Sequence, residues 1–407
     1  MTAVMEGVRV LEVAEHTFVP AASALLADWG ADVVKIEPSE RGDAMRGLGS
    51  TGVVTIGGDV HALLEHSNRG KRSLALDLTT AEGLDILYKL AATADVFLTN
   101  KLPHTRRKLK IEVEDIRAAN PEIIYVAGTG YGERGPDAEK GSYDSLAFWC
   151  RAGVAIGGKP ADSEDLPPPP APGFGDSIGA MTIAGGIMGA LYHRERTGQP
   201  TTVDVSLLGT GMWAMGQAFA LSLVADVPWQ GPAKAKGRPG SNPLVDVYRT
   251  SDGRQVSLCC LQAGRYWAEM VGILGRPELA QDPRFTDHAS ILANSADARA
   301  ILSTAFAGHT LPEWRAKLAD FSGQWTVVQN TLEAAADPQS VANGYIQDCE
   351  TAGGTPFKLV AAPVQYDGAP APAHRAPEFN EHGDAILEEL GIDWDTIVDL
   401  KVRAVVG

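Results

Sequence analysis

In this chain of 407 residues one carboxylate stands in a setting suited to chemistry: Asp176, within Gly173-Phe174-Gly175-Asp176-Ser177-Ile178-Gly179. A proline-rich loop ends there. The small and apolar run that follows, Ala180 to Tyr192, reads as a buried helix closed by His193-Arg194-Glu195-Arg196 and Thr197-Gly198. At the mouth of a helix an aspartate has two roles open to it. As an N-cap it accepts a backbone N–H of the first turn and complements the helix dipole. As a nucleophile it uses the same donors to stay ionised, aimed into a dry site. Composition alone favours the cap.

Cationic residues give the second signal. One cluster is Asn68-Arg69-Gly70-Lys71-Arg72; the other is Lys101, Arg106, Arg107, Lys108 and Lys110, with His104 among them and Asn100 ending the strand before it. Loops at the carboxyl ends of strands in a doubly wound sheet carry ligands. Arg and Lys match phosphate oxygens, so these clusters read either as a phosphate site or as solvated helix faces.

Other chemistries find little support. His61 and His66 lack the spacing of a zinc hydrolase, and His16, His193 and His382 are isolated in sequence; no metal site is expected. The first β–α turn, Ala14-Glu15-His16-Thr17-Phe18-Val19-Pro20, has no glycines to let a pyrophosphate approach, although Glu37 stands where a dinucleotide fold places its ribose-binding acid. Cys150 lies in the apolar Ala147-Phe148-Trp149-Cys150 and is expected to be a buried structural thiol.

The elements that must position these residues alternate. Strands are expected at Val8–Val13, Asp32–Glu37, Ser73–Leu78, Val96–Thr99 and Ile123–Ala127. Helices are expected at Ala21–Trp29 and from a capping box at Thr79 and Glu82 to about Ala92. Such β-α-β units predict an α/β domain with a largely parallel sheet. A second apolar helix is expected near Leu207 to Val224, and a last one at His382–Leu390. The expected division is 1–205 for a large domain, 206–235 for a linker, 236–335 for a small domain, and 336–407 for a strap that returns to the large domain. With 44% hydrophobic and 21% charged residues the composition is that of a globular protein. The net charge of −16 argues against nucleic acid or an anionic membrane as partner. No uninterrupted apolar run is long enough to span a bilayer, the four cysteines show no framework, and the first residues lack an apolar stretch; a cytoplasmic protein is expected.

Taken in order, these segments resemble the family III CoA-transferases, which include formyl-CoA:oxalate, carnitine and bile-acid CoA-transferases and the 2-methylacyl-CoA racemases. The resemblance rests on Gly7 to Glu12, Leu26-x-x-Trp29-Gly30-Ala31-Asp32 through Glu37, Asn68 to Ser73, Gly128-Thr129-Gly130-Tyr131-Gly132, Gly175-Asp176, Ala190 to Gly198, Val203 to Leu207, Arg375-Ala376-Pro377 and Leu387 to Gly391. It implies a Rossmann-like large domain built from both ends of the chain, a smaller inserted α+β domain, and a homodimer of interlocked rings. It implies CoA transfer from an acyl-CoA to a carboxylic acid through Asp176, with coenzyme A as substrate and no tightly bound cofactor. The positions that match CoA contacts are Thr17, Phe18, Lys71, Asn100, Lys101 and Lys108; Asp144 matches an acidic position near the site.

Three departures accompany the resemblance. Thr17 stands where formyl-CoA transferase relatives have Gln. The glycine-rich flap is replaced by Lys236-Gly237-Arg238-Pro239-Gly240-Ser241-Asn242, where Arg238 and Gly240 would face the substrate. Tyr143 precedes Asp144 where the racemase branch has His, and a phenol is a poor proton shuttle at neutral pH. The alternatives are a 2-methylacyl-CoA racemase and a non-catalytic CoA-binding protein.

Overall fold

The structure is a computed structural model that describes residues 2–52, 54–231 and 240–407; Arg238 lies outside them. The chain divides into two compact units, one of Met1–Lys159, Leu166–Gln230 and Pro338–Gly407, the other of Pro160–Asp165 and Gly231–Asp337.

The first unit begins with β1 (Arg9–Val13), α1 (Phe18–Asp28), β2 (Asp32–Pro38), α2 (Ala62–Asn68), β3 (Arg72–Leu76), α3 (Ala81–Ala91) and β4 (Val96–Thr99). It continues with α4 (Pro103–Leu109), α5 (Val113–Ala119), β5 (Ile124–Thr129), α6 (Val154–Gly158), α7 (Phe174–Thr197), β6 (Thr202–Ser206), α8 (Leu207–Ala214) and α9 (Gly216–Ala225). The six strands form one sheet in the order β3-β2-β1-β4-β5-β6, every pair parallel. Val10, Leu11, Val33, Val34, Phe97, Leu98 and Val126 are buried, on both faces of the sheet, as a parallel sheet covered by helices requires. The order reverses between β1 and β4, the point where such folds open a crevice at the carboxyl ends of the strands.

α1 is buried along its whole length, lying between the sheet and α7. One glycine of α7 makes that approach possible, and a second admits Phe148 of the segment Ser145–Arg151. A Cβ at Gly179 would stand 2.3 Å from Phe18 Cε2, and one at Gly175 would stand 2.5 Å from Phe148 Cγ. α7 extends past the expected 180–192 to 24 residues, about 36 Å at 1.5 Å per residue. Among the described residues it is the one single helix long and apolar enough to cross a bilayer, but its Gly175, Gly179, Ile183 and Ile187 are buried in the core against α1 and the sheet.

The chain's last segment completes this unit. His382 N donates to Ser73 O at 3.0 Å, Asp77 N to Val405 O at 2.9 Å, and Gly407 N to Ala75 O at 3.2 Å. These bonds occupy the outer edge of β3, which would otherwise expose unpaired peptide groups.

The second unit has a three-stranded antiparallel sheet, Val245–Arg249, Gln255–Cys259 and Trp325–Val327, covered by helices Ala263–Ile273, Ser295–Phe306 and Leu311–Lys317. Its core is aromatic: Trp267 against Phe285, and Phe306 stacked on both Trp314 and Tyr248.

The structure corrects several local expectations. The stretch 206–235 is not a linker throughout, because α8 and α9 fill 207–225 and belong to the first unit. α3 is capped by Thr80, whose hydroxyl accepts from Gly83 N, while Thr79 bonds to Asp77 instead. Cys150 is exposed, since the segment Ser145–Arg151 winds as a π-helix and turns the thiol outward. A helix at Trp394–Val402 was not anticipated, although Asp393 caps it through Thr396 N. Because the α1–α7 contact leaves no room for a methyl at position 179, Gly179→Ala should lower stability by about 1–3 kcal/mol in urea denaturation.

Candidate active site

The site is organised around the turn from β1 into α1. Ala14, Glu15, His16 and Thr17 make it, and His16 has φ 68°, a left-handed conformation uncommon for any residue but glycine. The peptide groups from Ala14 O to His16 N are each held by a side chain. Lys35 Nζ donates to Ala14 O at 2.9 Å. Asn100 accepts from Glu15 N at 3.1 Å and donates to Glu15 O at 2.7 Å. Asp43 Oδ1 accepts from His16 N at 3.0 Å. Beneath the turn Lys35, fully buried, stands 2.7 Å from both Glu12 Oε1 and Asp43 Oδ2. Burial opposes ionisation of Asp43, but Lys35 and the N–H groups of His16 and Met45 outweigh it and hold its pKa at about 2.

Asp176 stands in the first turn of α7, three residues after Gly173, whose φ of 63° starts the helix. It is not the N-cap. Neither oxygen is engaged by a hydrogen bond or ion pair among the described residues. With no donor to favour the anion, burial first and the charge of Asp144 second push its pKa up to about 7. The expectation that helix donors keep it ionised is therefore corrected. A Cβ built on Gly173 would lie 3.4 Å from Thr17 Cγ2 and 3.8 Å from Asp176 Oδ2, so the turn and the carboxyl flank the same glycine. Asp144 Oδ2 accepts from Gly175 N at 3.2 Å, fixing the start of α7. Tyr143 is 62% exposed and meets the His16 ring edge-on at 5.8 Å, so the histidine that looked isolated in sequence belongs to this site.

A cavity of about 320 Å³ opens at the carboxyl ends of β1, β2 and β3. Glu37, Pro38, Arg41, Asp77, Leu78 and Lys101 are among the residues that line it. Arg41 and Lys101 both pair with Glu15 of the turn. Burial works against the Glu15 carboxylate, but those two cations dominate and bring its pKa to about 2.

The predicted contacts divide. Thr17 and Lys101 face the turn and the cavity, and the Thr17 side chain makes no capping bond to α1. Lys108 is exposed on α4, next to Leu109 of the cavity wall. Asn100 spends its amide on the Glu15 peptide groups. Lys71 is a correction. Its fully buried ammonium donates to Glu12 Oε2 at 2.7 Å, Pro20 O at 2.8 Å and Asn68 Oδ1 at 3.0 Å, so its three N–H groups are used inside the protein. The rest of its cluster is paired within the protein as well, Arg69 with Asp28 in the interior and Arg72 with Asp32 and Glu389 nearer the surface. Phe18 is corrected too, since its buried ring packs on Gly179 and Gly128 and leaves only its backbone for a ligand. Gly240, with φ 80°, belongs to the second unit. Sequence reasoning missed Asp43, Lys35 and Arg41. The signal for two of them is Arg41-Gly42-Asp43, a charged triplet just past β2, where a ligand loop belongs.

Comparison with known proteins extends this picture. The model for CoA-transferase family III matches residues 5–383. The chain is 29% identical over 408 residues to the (R)-2-hydroxy-4-methylpentanoate CoA-transferase of Clostridioides difficile, with 99% of both chains covered. It is 30% identical over 395 residues to the succinate–glutarate CoA-transferase of Agrobacterium fabrum, with 95% of each covered. The crystal structure of a CAIB/BAIF family protein from Brucella suis superposes with a TM-score of 0.81 at 28% identity, covering 96% of this chain and 100% of that one. The match runs through the first turn, the cavity strands and α7 alike, and the chain belongs to CoA-transferase family III, an enzyme of the class that transfers coenzyme A to acids.

Proposed function

We propose that the enzyme moves coenzyme A from an acyl-CoA to a carboxylic acid with Asp176 as nucleophile. The observation that carries this reading is the uncommitted Asp176 carboxyl at the start of α7, beside Thr17. The ionised carboxylate attacks the thioester carbonyl; the C–S bond breaks, giving a mixed anhydride and CoA thiolate. The thiolate attacks the aspartyl carbonyl, releasing the donor carboxylate and leaving an aspartyl-CoA thioester. The acceptor carboxylate reverses these two steps, and no net proton is consumed. The Thr17 hydroxyl is available to donate to an acyl oxygen in the tetrahedral states, where such a bond acts most strongly. Asp144 holds Gly175; burial first and the Asp144 charge second keep Asp176 hard to ionise, so the carboxylate that does form is weakly solvated and reactive.

The cavity between Arg41 and Lys101 suits the nucleotide end of CoA, with phosphates replacing Glu15 as partner of those cations and Lys108 at the rim. The enzyme is read as a homodimer, interlocked as the family resemblance implies. The support within this chain is an apolar surface on α8 and α9. Trp213 on α8 is 84% exposed, Leu221, Leu223 and Val224 are exposed on α9, and α9 buries no residue. Apolar area on that scale marks an interface.

Four outcomes follow. Asp176→Asn should stay folded yet lose transfer by a factor of about 10³ or more; near-normal transfer with no hydroxylamine-sensitive adduct on the parent enzyme would exclude Asp176 as nucleophile. Because the attacking form is the anion, kcat/KM should rise with pH through a midpoint near the Asp176 pKa of about 7 and then level. Arg41→Ala or Lys101→Ala should weaken CoA binding, most at low ionic strength, measured by calorimetry; Lys71→Met should act on stability instead. In sedimentation the enzyme should run as twice its 43.0 kDa chain mass without dissociating on dilution, and Trp213→Asp should disrupt that species.

A further inference from the structure

We propose that Asp43 is a positioning residue for transfer: it holds His16 in the left-handed conformation that sets Thr17 against Gly173 and Asp176. This rests on the reading of Asp176 as nucleophile. Asp43 has no route to substrate, being fully buried, with Oδ1 accepting from His16 N at 3.0 Å and Met45 N at 2.9 Å and Oδ2 on Lys35. Its own N–H donates to Glu37 Oε2 at 2.7 Å. It is therefore fixed from three directions besides His16. Gly42, φ 71°, brings the chain close enough for this, since a Cβ there would stand 3.0 Å from Glu37 Oε2.

The reason a carboxylate is needed lies at His16. A left-handed L-residue is less stable than the same residue in its right-handed or extended forms, because its Cβ crowds the following carbonyl oxygen. A charge-assisted bond from its N–H to a buried anion is about twice as strong as a neutral one and offsets that cost. The bond is directional, so it fixes the peptide plane between Glu15 and His16. Two residues depend on this plane: Thr17, the residue before α1, and Tyr143, which meets the His16 ring. Without Asp43 the peptide would turn toward negative φ and carry Thr17 away from Gly173. A purely structural Asp43 would cap the short helix Ala44–Gly47, also its work, and affect only stability.

Two pairs of variants separate these roles. His16→Gly and His16→Val both lack the imidazole and leave the buried charges intact; they differ in tolerance of positive φ, which glycine adopts freely and a β-branched residue resists. His16→Val should show kcat at least tenfold below His16→Gly with KM for acyl-CoA within about threefold. Asp43→Asn should lower kcat tenfold or more in the parent, and by less than threefold in the His16→Gly background, as a double-mutant cycle of coupled sites requires. Equal kcat for the Gly and Val variants would overturn the proposal. So would an Asp43→Asn effect of the same size in both backgrounds, or one confined to thermal stability. Should Asp43→Asn not fold, the Gly and Val pair decides alone. Failure of the Asp176 assignment would instead show in Asp176→Asn, a variant in which Asp43 and His16 are unchanged.

Discussion

Lys35 is a charge with no access to water, and the site exists because the protein has solved the problem of keeping it. An ammonium taken out of water costs several kcal/mol unless anions and acceptors surround it. Here Glu12 from β1, Asp43 from the loop after β2, and the carbonyl of Ala14 do so. Each of those groups belongs to a different segment, so satisfying Lys35 fixes the end of β1, the loop beyond β2 and the first turn relative to one another. Lys71 adds a second buried cation on Glu12 and ties β3 to the same point. Replacing one member would leave the others uncompensated, which is why removing a single partner of a buried pair is far more damaging than replacing the whole set.

The second constraint is steric and sits on the other side of the turn. Gly175 and Gly179 let Phe148 and Phe18 press against the first turns of α7. That contact sets how far Asp176 stands from Thr17. Charge fixes one wall of the site and glycine the other, and the Asp176 carboxyl is left between them with no partner of its own. Its raised pKa is a consequence first of that burial and second of the neighbouring charge of Asp144.

Much of this was legible in the chain. Alternating β-rich and helical runs gave the parallel sheet, because each strand is a short β-rich segment separated from the next by a helical run. Asp176 stood out because a lone carboxylate interrupts an otherwise small and apolar helix. The cations were harder to read. Lys71 and Lys101 look alike in sequence, yet one lies in β3's approach beneath the sheet and the other past the end of β4, and only the fold shows which has water or a cavity beside it. The Thr80 cap was missed by one residue because Thr79 and Thr80 offer the same hydroxyl. His16 could not be found at all from spacing, since its partner Tyr143 lies 127 residues away and meets it only through the turn and the start of α7.

The closing of β3 by the far end of the chain has a consequence for how the protein is made. Leu76 and Val406 pair although about 330 residues apart in sequence. At about 5–20 residues per second, synthesis leaves that edge unpaired for on the order of tens of seconds while the intervening chain of both units is produced. During that time the nascent first unit presents an open parallel-sheet edge, the kind of surface that invites association with other chains. The ribosome-bound form is thus the state most in need of a holding chaperone, and a stalled or truncated product lacking the last residues would keep that exposed edge permanently.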